Sequence, residues 1–133
     1  MVGIVIVSHS RSLADGVKEV ASQMATGVNI QVAGGTVDGR LGTDIEKIKD
    51  AISRAYSNDG VIILFDLGSS MMNTEMAIEF LRENMRNNII MLDAPLVEGA
   101  VVAAVDASIG RSLAEIVADL NKMKINKINW FMY

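Results

Sequence analysis

The chain has 133 residues, half of them hydrophobic, with a net charge of −4, no cysteine and a single histidine. These values fit one folded domain and exclude intrinsic disorder, disulfides, cysteine-ligated metal centres and zinc sites built on several imidazoles. The acidic balance also disfavours binding to a nucleic-acid backbone, and any histidine chemistry must use His9.

The first half of the chain predicts two strands and two helices. Val2–Val7 is a short apolar run rich in β-branched residues, which is typical of a buried parallel strand. Apolar residues then recur at helical spacing from Leu13 to Met24 with Gly27 as the helix stop, and a second strand is predicted at Val28–Ala33. A glycine-rich loop, residues 33–42, leads to a helix whose capping-box spacing starts at Thr43.

The second half predicts two more strands and three more helices. Its first strand is the most apolar run of the chain and is expected at the centre of the sheet. The helix that follows Pro95 is apolar almost all round, which predicts burial on two sides, one of them a subunit interface. In chain order the predicted elements are a strand at Val61–Phe65, a helix over Met71–Met85, a strand at Asn88–Leu92, a helix over Leu96–Ala107 and a helix from Ser112.

Strands that alternate with helices predict an α/β fold. Right-handed crossovers place helices on both faces of the sheet. We therefore expect one domain over residues 1–133, with three α/β/α layers and a mostly parallel central sheet of four to five strands, in the order 2-1-3-4 for its parallel part. Residues 122–133 are left unassigned; the aromatic tail Trp130–Tyr133 either packs on its own domain, forms a short edge strand or contacts a second subunit.

No targeting signal is expected from the sequence. The first residues have a short apolar run without a basic leader, which is unlike a signal peptide. No apolar stretch approaches the roughly 20 residues that span a bilayer. A cytoplasmic protein is therefore expected.

Chemistry is expected in the loops at the carboxyl ends of the strands, where open α/β sheets bind their ligands. His9 directly follows the first strand, and Asp66 directly follows the third. In the order 2-1-3-4 these strands are neighbours, so the two side chains should meet. A carboxylate bonded to one ring nitrogen orients an imidazole and leaves the other nitrogen as a nucleophile or base.

Hydroxyl and backbone N–H groups around His9 predict an anion site beside helix N-termini. The candidate phosphate-binding residues are Ser8, Ser10, Gly68, Ser69 and Ser70, with Arg11, Gly35 and Thr36 as further candidates. Plainer interpretations stay open: His9 as an ordinary loop residue and Asp66 as a helix cap. The sequence lacks a P-loop, a dinucleotide-binding glycine motif and a hydrolase nucleophile elbow.

Four segments carry a family resemblance: GIVIVSHSRSLADGV, LGTDIEKI, GVIILFDLGSSMMNTEMAIE and DAPLVEGAVVAAV. Over residues 2 to 120 the chain resembles the mannose-type enzyme IIA domains of sugar phosphotransferase systems. Within them it resembles the branch that serves phosphoenolpyruvate-dependent dihydroxyacetone kinases. The resemblance implies that His9 is the phosphorylated histidine and Asp66 its acidic partner.

The resemblance also implies partners. His9 would accept a phosphoryl group from the carrier protein HPr and pass it to ADP held by the subunit DhaL, which acts with DhaK on dihydroxyacetone. A homodimer is implied. No intrinsic cofactor or metal is expected, since ADP, ATP and Mg belong to DhaL. Three alternatives remain: an enzyme IIA of a mannose-type sugar permease, a non-catalytic regulatory binding module, and a metal-free hydrolase with His9 as general base.

Overall fold

A computed structural model describes residues 1–127 of the chain. The aromatic tail, Trp130–Tyr133, lies outside the described residues. Four strands and six helices alternate along the described part: β1 (Gly3–Ser8), α1 (Arg11–Met24), β2 (Ile30–Gly34), α2 (Ile45–Ala55), β3 (Val61–Phe65), α3 (Met71–Glu79), α4 (Glu83–Arg86), β4 (Ile89–Leu92), α5 (Leu96–Ser108) and α6 (Leu113–Asn121).

The four described strands form one parallel sheet in the order β2-β1-β3-β4, which confirms the predicted fold class and order. β1 is central and fully buried because its residues alternate between two apolar layers. Ile4 and Ile6 face a cluster shared with α1, α5 and α6, whereas Val5 and Val7 face a cluster shared with α2 and α3.

The long helix predicted over Met71–Met85 is wrong in its extent. A single 3-10 turn, Gly68–Ser70, precedes α3, which ends at Glu79. Arg82 then has an extended backbone (φ −62°, ψ 147°), and the four-residue α4 follows it. No glycine or proline marks this break, and the apolar periodicity continues across it. Leu81 before α4 and Ile89 after it are both buried in the same cluster, whereas α4 itself has no buried residue.

Among residues 1–127, none of the helices is both long enough and apolar enough to cross a membrane.

The small residues of α5 pack against the sheet and α1, with Ala100, Ala103 and Ala104 fully buried. Its other side leaves Val97 and Val105 exposed at the surface of the single chain.

Candidate functional site

The sheet brings His9 and Asp66 together at its carboxyl edge. β1 and β3 are parallel neighbours, and Val7 is paired with Phe65 in their register. The residues that follow these two strands therefore leave the sheet side by side. The Asp66 backbone N–H also donates to the Val7 carbonyl at 3.2 Å, which extends the pairing into the loop. The predicted meeting of His9 and Asp66 is thus a direct consequence of the strand order.

The Asp66 carboxylate accepts four hydrogen bonds. Its Oδ1 accepts from the His9 ring Nδ1 at 2.9 Å and from the Leu67 backbone N–H at 2.7 Å. Its Oδ2 accepts from the Ser8 hydroxyl and from the His9 backbone N–H, each at 2.9 Å. Burial raises the pKa of Asp66, but the bonds from His9, Leu67 and Ser8 outweigh burial and hold that pKa below its ordinary value.

An ionised Asp66 fixes the tautomer of His9. The carboxylate can only accept at Nδ1, so in the neutral imidazole Nδ1 carries the proton and Nε2 carries the free lone pair. Nε2 lies 2.9 Å from the Ser69 hydroxyl, and the His9 side chain is 25% exposed. Nε2 is therefore available at the surface as a nucleophile, while the hydrogen bond to Asp66 holds Nδ1 in place.

Three of the predicted phosphate-binding serines are held in structural bonds. Ser8 is fully buried and accepts from the Ser10 backbone N–H at 3.0 Å while it donates to Asp66. Ser10 caps α1 by accepting from the Leu13 backbone N–H. Ser70 is buried and donates to the Leu67 carbonyl at 2.7 Å. The structure places these hydroxyls around the loop backbone, and of the predicted serines only Ser69 contacts the imidazole among the described residues.

Gly68 and Ser69 lie in the 3-10 turn that starts the α3 segment. This turn explains why Ser69 reaches over the ring. Gly68, the first residue of the turn, directly follows Leu67, whose backbone N–H donates to Asp66. The Ser70 backbone N–H donates to the Leu67 carbonyl at 3.0 Å and completes the turn. The turn is therefore rigidly tied to the same carboxylate that orients His9.

The glycine-rich loop holds His9 from the other side. Gly42 N–H donates to the His9 carbonyl at 2.8 Å, and Gly35 N–H donates to the Ser8 carbonyl at 3.1 Å. Gly35 has a positive φ of 72°, which glycine adopts without strain. Thr36 binds Asp38 and the Arg40 backbone within the loop. The loop thus supports the site with its backbone, and among the hydrogen bonds of residues 1–127 neither Gly35 nor Thr36 contacts the ring.

Arg11 begins α1 and is mostly exposed, with its Nε 4.0 Å from Asp15. It makes no close contact with His9 or Asp66 among residues 1–127.

Sequence reasoning missed two lysines that fix these loops. The Lys47 Nζ donates to the carbonyls of Gly34 and Thr36 at 2.8 and 3.2 Å, which ties α2 to the glycine-rich loop. The Lys127 Nζ donates to the Phe65 carbonyl, directly before Asp66. Neither lysine follows a strand, so neither fell within the loops that strand order singles out.

The site and fold match one family. Residues 3–117 match the EIIA-man family, described as the fructose IIA component of the PTS system. The chain therefore belongs to this family of mannose-type enzyme IIA domains.

Individual relatives carry a narrower description. The chain is 37% identical over 124 residues to "PEP-dependent dihydroxyacetone kinase 2, phosphoryl donor subunit DhaM" of Listeria innocua, covering 92% of this chain and 99% of that protein. It is also 37% identical to the phosphoryl donor subunit DhaM of the Escherichia coli enzyme, covering 90% of this chain and 26% of that longer protein. A crystal structure of EF1359, a protein of unknown function, superposes with a TM-score of 0.81 at 38% identity, covering 91% of this chain and 93% of the other.

Proposed function

We propose that this chain is the phosphoryl donor subunit of a phosphoenolpyruvate-dependent dihydroxyacetone kinase, and that His9 carries the phosphoryl group. The observation that carries the proposal is the orientation of the imidazole. Asp66 holds Nδ1 at 2.9 Å, and the opposite nitrogen, Nε2, faces the surface. The similarity to the donor subunits of Listeria innocua and Escherichia coli supports the choice of kinase.

In the first transfer the Nε2 lone pair attacks the phosphorus of phospho-HPr. The new P–Nε2 bond forms as the P–N bond to the donor imidazole breaks, and that donor ring leaves as a neutral imidazole. The His9 ring becomes a phosphorylated imidazolium whose Nδ1–H stays bonded to Asp66. The carboxylate therefore stabilises the positive charge that develops on the ring, an electrostatic role without proton transfer.

In the second transfer a terminal phosphate oxygen of ADP attacks the same phosphorus. The P–Nε2 bond breaks, ATP forms in DhaL, and neutral His9 is restored. Positioning supplies most of the catalysis in such transfers. The Ser69 hydroxyl, 2.9 Å from Nε2, turns toward a phosphoryl oxygen when the group is present.

Exposed leucines flank the residues that hold His9. Leu41, 80% exposed, precedes the Gly42 that binds the His9 carbonyl, and Leu67, 52% exposed, follows Asp66. With one histidine per chain, HPr and DhaL have to approach the same nitrogen in turn. We expect the two partners to compete for this surface.

Incubation with phosphoenolpyruvate, enzyme I and HPr tests the first transfer, with intact mass as the readout. We expect one added phosphoryl group on the native chain and none on His9→Ala, with circular dichroism showing that both are folded. Persistent phosphorylation of His9→Ala would overturn the assignment of His9. Adding ADP-loaded DhaL should then remove the group and yield ATP.

The second candidate is an enzyme IIA of a sugar permease, which the description of the matching family favours. The same phosphorylated chain discriminates between the two. Discharge by a mannose-type IIB domain and none by ADP-loaded DhaL would support the permease. A chain that takes no phosphoryl group from HPr would instead favour a regulatory binding module.

We also propose that the chain forms a homodimer. Val97, Val105 and Ile109 are exposed apolar residues on and directly after α5 of a single chain. Sedimentation equilibrium should give twice the chain mass, and Val105→Asp should shift the equilibrium toward the monomer. A native chain that sediments as a monomer would contradict the dimer and leave the His9 chemistry unaffected.

A further inference from the structure

Two loops flank His9, and each bonds to it at a different point. The Ser69 hydroxyl lies 2.9 Å from Nε2 of the ring. The Gly42 backbone N–H donates to the His9 carbonyl at 2.8 Å. Ser69 belongs to the 3-10 turn that leads into α3, and Gly42 ends the glycine-rich loop that leads into α2. The surroundings of His9 therefore depend on how α2 and α3 are held relative to each other.

A side-chain hydrogen bond joins the beginnings of these two helices. The Asn73 Nδ2 donates to the Thr43 Oγ1 at 2.8 Å, and both residues are half-buried. Thr43 directly follows Gly42 in the chain. Asn73 follows Ser69 by about one helical turn of the same segment. The bond thus closes a ring of contacts that runs from the His9 carbonyl through the starts of α2 and α3 to Nε2.

The Thr43 hydroxyl is available for this bond because another residue caps α2. The capping-box spacing in the sequence predicts Thr43 as the N-cap. The structure places the cap one residue later, where Asp44 Oδ2 accepts from the Lys47 backbone N–H at 2.9 Å. Helix capping therefore does not account for Thr43, whereas its bond to Asn73 connects the two loops that hold His9.

We propose that Asn73 and Thr43 are positioning residues for phosphoryl transfer, because their hydrogen bond latches α3 to α2. The latch keeps Ser69 at Nε2 and Gly42 at the His9 carbonyl, so the nucleophile stays in the geometry that in-line attack requires. The pair acts through the loops and not on the reacting atoms. This inference rests on the proposed function, because it assigns the pair a role in the same site.

Three substitutions and one control test the latch. Thr43→Val removes the hydroxyl at nearly constant shape, Thr43→Ser keeps the hydroxyl, and Asn73→Ala removes the other partner. Asn29→Ala is the matched control, since the Asn29 amide also joins two elements, donating to the Arg54 carbonyl at 2.9 Å, but at the amino edge of the sheet. Rapid-quench transfer from phospho-HPr over a range of donor concentrations separates the maximal rate from the half-saturation concentration.

We expect the maximal rate to fall about 5-fold in Thr43→Val and in Asn73→Ala, the effect of about one lost hydrogen bond. The half-saturation concentration should not change. Thr43→Ser and Asn29→Ala should transfer at the native rate. The double variant Thr43→Val with Asn73→Ala should be slower by the same factor of about 5, whereas independent residues would give a factor of about 25.

Hydrogen exchange tests whether the latch reaches the loop that holds His9. The Gly42 amide proton should exchange faster in Asn73→Ala than in the native chain, because loss of the latch lets the Gly42–His9 bond open more often. In Asn29→Ala it should exchange at the native rate. An unchanged Gly42 amide in Asn73→Ala would show that the bond does not hold the loop and would overturn the proposal.

The kinetic outcomes can also overturn it. A native maximal rate in folded Thr43→Val would do so, as would two effects that multiply in the double variant. A higher half-saturation concentration at an unchanged maximal rate would assign the pair to donor docking instead. Failure of Thr43→Val and Asn73→Ala to fold, with Asn29→Ala folded, would make the bond a stability feature. A native chain that takes no phosphoryl group contradicts the proposed function, and Gly42 exchange still reports on the latch.

Discussion

Two largely buried carboxylates, one at the carboxyl edge of the sheet and one near the end of α5, show how hydrogen-bond donors determine the charge state of an acid. Asp66 at the carboxyl edge and Asp106 near the end of α5 have almost equal side-chain exposure, 12% and 13%. Asp66 accepts four hydrogen bonds, and its pKa lies below the ordinary value. For Asp106, burial, a hydrogen bond shared with Asp119 and repulsion from Asp119 raise the pKa to about 6.

The hydrogen bonding around Asp106 and Arg111 is incomplete. Asp106 Oδ2 lies 3.8 Å from Arg111 Nε, and neither buried atom has a hydrogen-bond partner among the described residues. Arg111 is instead closer to Asp119, at 3.3 Å. The Asp106–Asp119 pair therefore favours a shared proton, whereas the Asp66 site stabilises a full negative charge. Equal burial thus permits opposite charge states, and the donors select between them.

The two acids act oppositely on stability as pH changes. The depressed pKa of Asp66 contributes stability at pH above about 4, and that contribution is lost as pH falls through the folded-state pKa. The raised pKa of Asp106 favours the protonated folded state, so its contribution is lost as pH rises from about 4 through about 6. Substitution of either carboxylate tests this comparison.

Asp66→Asn should have the largest effect. An amide cannot serve as acceptor for all four donors, and it no longer stabilises positive charge on the His9 ring. We expect phosphoryl transfer from phospho-HPr to slow by about 10- to 100-fold, by analogy with the loss seen when the carboxylate that orients a metal-binding histidine is removed. Stopped-flow transfer kinetics give the measurement. Asp15→Asn, an exposed acid on α1, is the control, and a native rate for Asp66→Asn would reduce Asp66 to a structural residue.

Asp106→Asn should have a smaller effect, in the opposite direction. The amide keeps a hydrogen bond to Asp119 and removes the repulsion between the two carboxylates. We expect a gain of about 1–2 kcal/mol in the free energy of unfolding at pH 8, and a gain about half as large at pH 5. Urea denaturation at the two pH values checks this. Equal effects at both pH values would show that Asp106 is ionised throughout the range.

Ser69→Ala should have the smallest effect. The Ser69 hydroxyl makes a single hydrogen bond to Nε2 of His9, whereas Asp66 bonds to the opposite ring nitrogen, Nδ1. Loss of one hydrogen bond is worth about 1 kcal/mol, so we expect a several-fold slower transfer with an unchanged unfolding midpoint. Ser53→Ala on α2 is the control, because its hydroxyl donates to the Lys49 carbonyl within the same helix. A transfer rate as slow as that of Asp66→Asn would contradict this ranking, because Ser69 would then contribute as much to the transfer rate as Asp66.

The sequence predicted the parts of the site that depend on strand order. Runs such as Val61–Phe65 are strongly apolar, and parallel topology then requires His9 and Asp66 to be adjacent. Which hydroxyl faces the ring could not be predicted, because Ser8, Ser69 and Ser70 share one residue type and differ only in how the loop turns. The role of Lys127 depends on contacts distant in the chain, which local patterns do not encode.

The most direct test of the account is to find which ring nitrogen carries phosphorus. Long-range ¹H–¹⁵N NMR of the phosphorylated, histidine-labelled chain distinguishes the two nitrogens of His9, and the single histidine leaves no ambiguity. We predict phosphorylation at Nε2, with Nδ1 still protonated and bonded to Asp66. Phosphorus on Nδ1, or an unmodified ring in a chain that does accept a phosphoryl group, would contradict the account.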